Sequence, residues 1–351
     1  MFVPVPMTPD RMMYEALRGD SRIDVIIPVH NSRATLPRAL ASIAMQTVAD
    51  DVDVTIVDDA SDERYDDILA AFSPLLHVRL LRIDPPNRFP GYVRQLALDQ
   101  TRNDFVTFID SDDTLSDSFA LARLFSILLT CETCHVACGA FAGVQSEWFN
   151  TRFIAHREDR VHVFAKLYRR SFLNENGIRF NTEGDAGRFN EDYGFNAPIF
   201  LCFDENTYFL PEIVYDWHEN PNSLTHAGAN LFHAHKFIGR AANMVTAFEK
   251  CCALRAEGKT AVAAAHLAEG LPVSFSRIYD MFVQARPLDA DCAEALLALA
   301  RRLWKNVLLP LRQEADAPTD EALRAALADF AAERPYLQQL SPEDFLSLLT
   351  Q

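Results

Sequence analysis

The chain has 351 residues, 49% of them apolar and 23% charged, with a formal net charge of −16. That length holds one large domain or two ordinary ones, and that apolar share excludes wholesale disorder. The acidic balance argues against general binding to nucleic acid or anionic lipid, both of which need a basic face.

The opening segment MFVPVPMTPDRMMYEALRGD lacks a basic region followed by an apolar run, so no secretory signal is expected. No stretch approaches the ~20 apolar residues of a membrane span. The expected location is the cytoplasm, with peripheral attachment to a membrane left open. Seven cysteines, an odd number, then suit reduced thiols. Cys131-x-x-Cys134-His135 matches a haem-attachment pattern, but no second Cys pair supports haem or zinc, and Cys134, Val136 and Cys138 are read instead as small buried residues alternating along a strand.

Taken in order, RIDVIIPV predicts a buried strand, with Ser32 capping a helix over ATLPRALASIAMQ. DVDVTIVDDASD predicts a second strand ending at Asp58 and Asp59. DDILAAFSPLL predicts a helix, HVRLLRI a third strand and DPPNRFPG a loop. A helix from about Tyr92 to Thr101 leads into the strand of DFVTFIDSDD. Strands alternating with helices predict a mostly parallel sheet covered on both faces, with ligands bound beyond the carboxyl ends of its strands. His30-Asn31, Asp58-Asp59 and Asp110-Asp112 fall at those ends.

After a helix near DSFALARLFSILLT the rhythm becomes mixed. CHVACGAFAG and RVHVFAK read as strands, YRRSFLNENG as a short helix closed by Gly177, and FNEDYGFNAPIFLCF as a helix. TYFLPEIVYDWHENPNSLTH reads as a strand pair and loop. From about residue 227 only helical patterns follow. The expected organisation is an extension over 1–21, an α/β domain over 22–226 and a helical domain over 227–351. The α/β domain divides into a nucleotide-binding half at about 22–115 and an acceptor half at about 116–226.

Asp110, Asp112 and Asp113 stand within four positions behind an apolar strand. Like charges so placed call for a cation, and at a strand's period of two, Asp110 and Asp112 would face one pocket. Hard carboxylate oxygens suit Mg²⁺ or Mn²⁺ shared with a diphosphate. The alternative is a helix N-cap formed by Asp112 or Asp113. A nicotinamide-binding Rossmann domain is excluded, because PVHNSRATLP follows the first strand where a Gly-x-Gly-x-x-Gly turn would be needed.

Six ordered blocks extend the pattern beyond the acidic cluster: VIIPVHN, TIVDDASD, GYVRQLAL with FIDSDD, KLYRRSFLNENGIRF, FNEDYGFN and YDWHENPNSLT. Together, over roughly residues 22–226, they resemble the inverting glycosyltransferases of family 2. That resemblance implies a GT-A fold, a Rossmann-like, mostly parallel sheet flanked by helices, with the helical region after it. It implies a metal-dependent enzyme moving a sugar from a nucleotide-diphosphosugar, a UDP-sugar first among them, to an acceptor hydroxyl on a glycan, lipid-linked sugar or protein.

By the same resemblance Pro28, His30 and Asn31 line the nucleoside pocket, with His30 standing where the family often has Tyr. Asp58 or Asp59 accepts from the base. Arg94 helps hold the nucleotide, beside Gln95 in place of a frequent Asn. Asp110 meets the ribose, and Asp112, with Asp110, binds Mn²⁺ or Mg²⁺. Asp192 corresponds to the general base with Glu191 bracing it, and His218 to a third metal ligand found in some relatives. An isolated Glu-Asp pair on a helix otherwise reads as a solvated face. Trp217 is either a sugar platform or core, and Lys166, Arg169 and Arg170 either touch phosphate or decorate a surface helix. Two other classes stand beside the enzyme: a nucleotide-sugar-binding module without turnover, and an assembly scaffold forming a homo-oligomer through the C-terminal helices.

Overall fold

The apolar run Ile23–Val29 forms strand β1, buried along its length except at the half-buried Pro28, as expected of a strand covered on both faces. The computed structural model describes residues 15–83, 89–145, 151–220, 233–314 and 319–351. These cluster into two units. The first comprises the described parts of Met1–Asn87, Val93–Gly177 and Glu205–Pro221, the second those of Arg88–Tyr92, Ile178–Asp204 and Asn222–Gln351.

In the first unit β1 is followed by α1 (Leu36–Ala44), β2 (Val52–Asp58), α2 (Asp66–Phe72), β3 (His77–Arg82), α3 (Phe89–Gln100, shared with the second unit) and β4 (Phe105–Phe108). Then come β5 (Thr114–Leu115), α4 (Ala120–Thr130), β6 (Val136–Gln145), β7 (Thr151–His156), β8 (Lys166–Arg169), α5 (Arg170–Glu175) and β9 (Thr207–His218). They build a mixed sheet in the order β3-β2-β1-β4-β8-β6-β9-β5, with β7 beside β6. The β3-β2-β1-β4 portion is parallel throughout. Strands β2 and β3 run to one side of β1 and β4 returns to the other. The order therefore reverses at β1, a switch point of the kind beyond whose strand ends open α/β sheets bind their ligands. One face of β1 packs Ile23, Val25 and Ile27 against Leu36, Leu40 and Ile43 of α1 in the main core.

The second unit holds α6 (Gly184–Arg188), α7 (Glu191–Cys202), α8 (Ala234–Ala256), α9 (Ala264–Ala285) and α10 (Ala290–Leu303). The last continues through a π-helical turn, Trp304–Leu308, into Leu309–Leu311. After it come α11 (Asp320–Ala332) and α12 (Pro342–Leu349). Phe248, Phe275, Tyr279 and Phe345 are fully buried in its core.

Several local expectations change. Ser32 does not cap α1: its carbonyl accepts from Thr35 N and Leu36 N in a turn, and the helix starts at Leu36. Helix α3 begins at Phe89, three residues ahead of Tyr92, with Pro90 in its first turn where a missing N–H costs nothing. RVHVFAK is not a strand. Asp159 accepts from His162 N and Lys166 Nζ, and Ala165 takes a φ of 56°, so extended geometry resumes only at Lys166. The predicted strand pair after residue 206 is one strand, β9. Its ladder to β6 passes from Cys138↔Phe209 to Ala140↔Ile213, and the extra residues absorb Pro211, which has no N–H to donate. The loop expected after it lies largely outside the described residues. Cys134, Val136 and Cys138 are buried, but Cys131 and Cys134 form a disulfide, which corrects the reading of every cysteine as a free thiol.

Candidate functional site

At the end of β1 the chain turns through Asn31, whose φ of 52° suits a side chain able to bond locally. Asn31 N donates to Ser61 Oγ at 2.8 Å, and Asp62 N donates back to Asn31 Oδ1 at 2.9 Å. Ser32 N donates to Tyr65 Oη, which also meets Ser61 Oγ. These bonds stitch the loop after β1 to the loop after β2. His30 Nδ1 lies 2.8 Å from the Asp59 carbonyl. A carbonyl only accepts, so the proton sits on Nδ1 and Nε2 is left as an acceptor in the neutral ring.

The two carboxylates after β2 differ. Asp58 is fully buried, accepting from Ser61 N at 2.8 Å and Arg82 Nη1 at 2.7 Å. Asp59 sits one residue further, its N bonded to the Val29 carbonyl. Pro28 lies opposite Val57 in the β1–β2 ladder.

Beyond β4 the acidic cluster lies on a turn closed by Asp113 N and the Asp110 carbonyl, not on a strand, so the period-two argument does not apply. Asp112 and Asp113 do not cap a helix either, since α4 starts at Ala120. Asp110 Oδ1 accepts from Arg94 Nη2 at 2.7 Å, and the Arg94 side chain is 5% exposed. Burial holds the Asp112 carboxyl above its ordinary range, and the Asp110 charge adds to that against an opposing hydrogen bond from Asn220. Asn220 Nδ2 donates to Asp112 Oδ2 at 2.8 Å, and the Arg38 guanidinium donates to the Asp112 carbonyl.

Asp113 has a separate task. Its carboxylate accepts from Tyr215 Oη and from His218 N, each at 2.7 Å, so β9 is hooked to the turn. Tyr215 Oη in turn accepts from Asp110 N at 3.1 Å. Burial, then the neighbouring Asp110 and Asp112, raise the Asp113 carboxyl far above its ordinary value. His218 Nε2 lies 3.0 Å from Thr114 Oγ1. Among the described residues no three His, Cys, Asp or Glu side chains converge as a metal cage. Two carboxylates on one turn fit a cation that draws its remaining ligands from substrate phosphate and water.

Glu191 and Asp192 lie in the second unit and open α7 directly after Asn190, which is left-handed at φ 62°. Glu191 is buried and Asp192 half-buried. A helix N-terminus favours negative charge in its first turn.

The three cations of KLYRR are structural. Lys166 is 1% exposed and paired with Asp159 at 2.7 Å. Arg169 donates to the Leu128 carbonyl near the end of α4. Arg170 donates to Asp24, Thr101 Oγ1 and the carbonyls of Leu98 and Asn103. Trp217 stands opposite Gly143 in the β6–β9 ladder and packs against the core. Tyr215, Arg38 and Asn220 are the residues that sequence reasoning did not single out.

The model of the family described as Glycosyl transferase family 2 matches residues 24–191, ending on the first residue of the Glu-Asp pair. Glycosyltransferase GlyA of Streptococcus pneumoniae serotype 4 is 25% identical over 224 residues, covering 59% of this chain and 32% of its own length. The poly(ribitol-phosphate) beta-N-acetylglucosaminyltransferase TarS of Staphylococcus aureus is 31% identical over 105 residues, covering 28% of this chain and 18% of TarS. The chain thus spans a third or less of the length of these two relatives. The solved structure of S. aureus TarS 1-349 in complex with UDP-GlcNAc superposes with a TM-score of 0.63 at 20% identity, over 91% of this chain and 92% of that one. At that identity the likeness speaks for the fold: the mixed sheet with flanking helices and a helical region after it is the GT-A architecture.

Proposed function

The chain belongs to glycosyl transferase family 2 through residues 24–191, and from that premise we propose that it moves a sugar from a nucleotide-diphosphosugar to an acceptor hydroxyl, with inversion. The observation that carries the reading is the juxtaposition of Asp110 and Asp112 on one turn, at the end of β4, beside the sheet's switch point. A UDP-sugar is the favoured donor, supported by the UDP-GlcNAc held by the TarS structure.

In this reading Pro28, His30 and Asn31 line the nucleoside pocket. Asp58 or Asp59 accepts from the base, the Asp58 oxygens also accepting from Ser61 N and Arg82 Nη1. Arg94 fixes Asp110 against the ribose. Asp112 and Asp110 would hold Mn²⁺ or Mg²⁺, with His218 as a third ligand if Nε2 gives up Thr114. Such a cation, when bound, offsets the charge of the leaving diphosphate. Asp192 takes the acceptor's proton while Glu191 braces it. The acceptor oxygen bonds to the anomeric carbon from the face opposite the departing phosphate oxygen, and the nucleoside diphosphate leaves. The acceptor is a hydroxyl of a glycan or glycoconjugate.

Calorimetric titration of UDP, GDP and TDP, with and without Mn²⁺, tests the donor half. UDP should bind at least tenfold more tightly with the metal, about 1.4 kcal/mol, and Asp112→Asn should abolish that gain. Binding indifferent to both metal and variant would remove the reading.

A further inference from the structure

We propose that Asn243, in the C-terminal helices, is a positioning residue for the acidic pair, holding the turn that delivers Glu191 and Asp192. The proposal rests on the reading of Asp192 as general base.

Asn243 is 0% exposed, on the face of α8 that meets α6 and α7. Its Nδ2 donates to the Ala186 carbonyl at 2.8 Å, the Phe189 carbonyl at 2.9 Å and, within its own helix, the Gly239 carbonyl at 3.1 Å. Its Oδ1 accepts from Asn181 Nδ2 at 2.5 Å. Ala186 lies in α6 and Phe189 is its C-cap, so their carbonyls are among those a helix end leaves without intrahelical partners. One side-chain amide thus caps α6 just before Asn190 reverses the backbone and Glu191 and Asp192 begin α7.

Close approach from both sides fixes the amide. A Cβ on Gly194, two residues beyond Asp192, would lie 2.0 Å from Asn243 Oδ1. A Cβ on Gly239, one turn before Asn243, would lie 2.3 Å from the Asp185 carbonyl. Gly194 of α7 therefore leaves room for the Asn243 amide itself, and Gly239 of α8 lets that helix lie against the Asp185 backbone of α6, beside the carbonyls the amide bonds. Orientation of the Phe189 peptide sets the direction of the first turn of α7, and with it the Asp192 carboxylate. A misplacement of about 1 Å in a reacting group costs on the order of 10²-fold in rate.

The test uses the full chain, a panel of UDP-GlcNAc, UDP-glucose and GDP-mannose with water as the acceptor, and nucleoside diphosphate release as the readout. Water oxygen bonds to the anomeric carbon, the bond to phosphate breaks and Asp192 takes the proton. Asn243→Ala should lower kcat on the order of 10²-fold with donor KM within about twofold. Asn243→Asp, which keeps the volume but loses the donors, should do no better. Asn181→Ala is a milder change that frees the amide to rotate, and it should give a smaller loss in the same parameter even if the Asn243 variants fold poorly. In an Asp192→Asn background, Asn243→Ala should add almost nothing, because it acts through that carboxylate. Losses that multiply in the double variant, or a rise in KM alone, would overturn the positioning role. Full release by Asp192→Asn, or none by the parent with any donor, would remove the general-base reading itself.

Discussion

Lys166 is 1% exposed, and its ammonium meets Asp159 Oδ2 and the His162 carbonyl, each at 2.7 Å. Burial alone would push the Asp159 carboxyl up, but the bonds from His162 and the Lys166 charge outweigh it and hold it far below the ordinary carboxylate range. A carboxyl whose folded pKa is depressed stabilises the fold fully above its unfolded value near 4, and that contribution drains away as pH falls. Asp159→Asn should therefore cost about 3–5 kcal/mol at pH 7, by leaving a buried ammonium without its counter-charge. The gap to the parent should narrow as urea unfolding is repeated from pH 5 toward pH 2. A gap constant with pH would reject the ion-pair account. The sequence leaves Lys166, Arg169 and Arg170 open between phosphate contact and surface decoration. Asp24, a carboxylate inside an apolar strand, does signal a buried cation, yet Arg170 stands 146 positions away and nothing local names it.

At the scale of elements, the apolar runs of β1, β2 and β4 and the carboxyl-end placement of His30-Asn31, Asp58-Asp59 and Asp110-Asp112 are legible because burial on both faces demands continuous hydrophobicity. How β9 meets the acidic turn is not legible. Tyr215 looks like any aromatic strand residue, but its hydroxyl donates to Asp113 and accepts from Asp110 N. That places it one bond behind Asp110, as the hydrogen-bonded supports of metal ligands often are. Tyr215→Phe should cost about 1–3 kcal/mol by leaving those buried groups short of a partner. It should also weaken the metal-dependent part of UDP binding roughly 10–100-fold, with metal-free binding unchanged. Lost stability with an unaltered metal dependence, read by calorimetry, would assign Tyr215 to the fold alone.

At the scale of the whole molecule, the apolar stripe of CAEALLALARRLWKNVLLPL reads in the sequence as a surface for assembly. In the chain itself Leu296, Ala300, Leu303, Val307, Leu308 and Leu311 are already buried. A boundary near residue 227 follows from the disappearance of strands, a local signal. Packing draws a different line, because Ile178–Asp204 clusters with the C-terminal helices. Phe195 and Ile199 of α7 are fully buried there, and the Phe180 ring stacks on Phe195 at 4.1 Å. Burial of each such side chain stabilises by roughly 1.5–3 kcal/mol. A chain ending at residue 226 would lose α8 with Gly239 and Asn243, and with them the hydrogen bonds to Ala186 and Phe189. Hydrogen exchange should then show α6 and α7 unprotected in that shortened chain while β1, β2 and β4 keep their protection. Metal-dependent UDP binding should persist, because each residue proposed to hold nucleotide and cation lies in the first unit. Protection of α7 in the shortened chain would show that this helix draws its stability from elsewhere, and the tie between the acidic pair and the C-terminal helices would be lost.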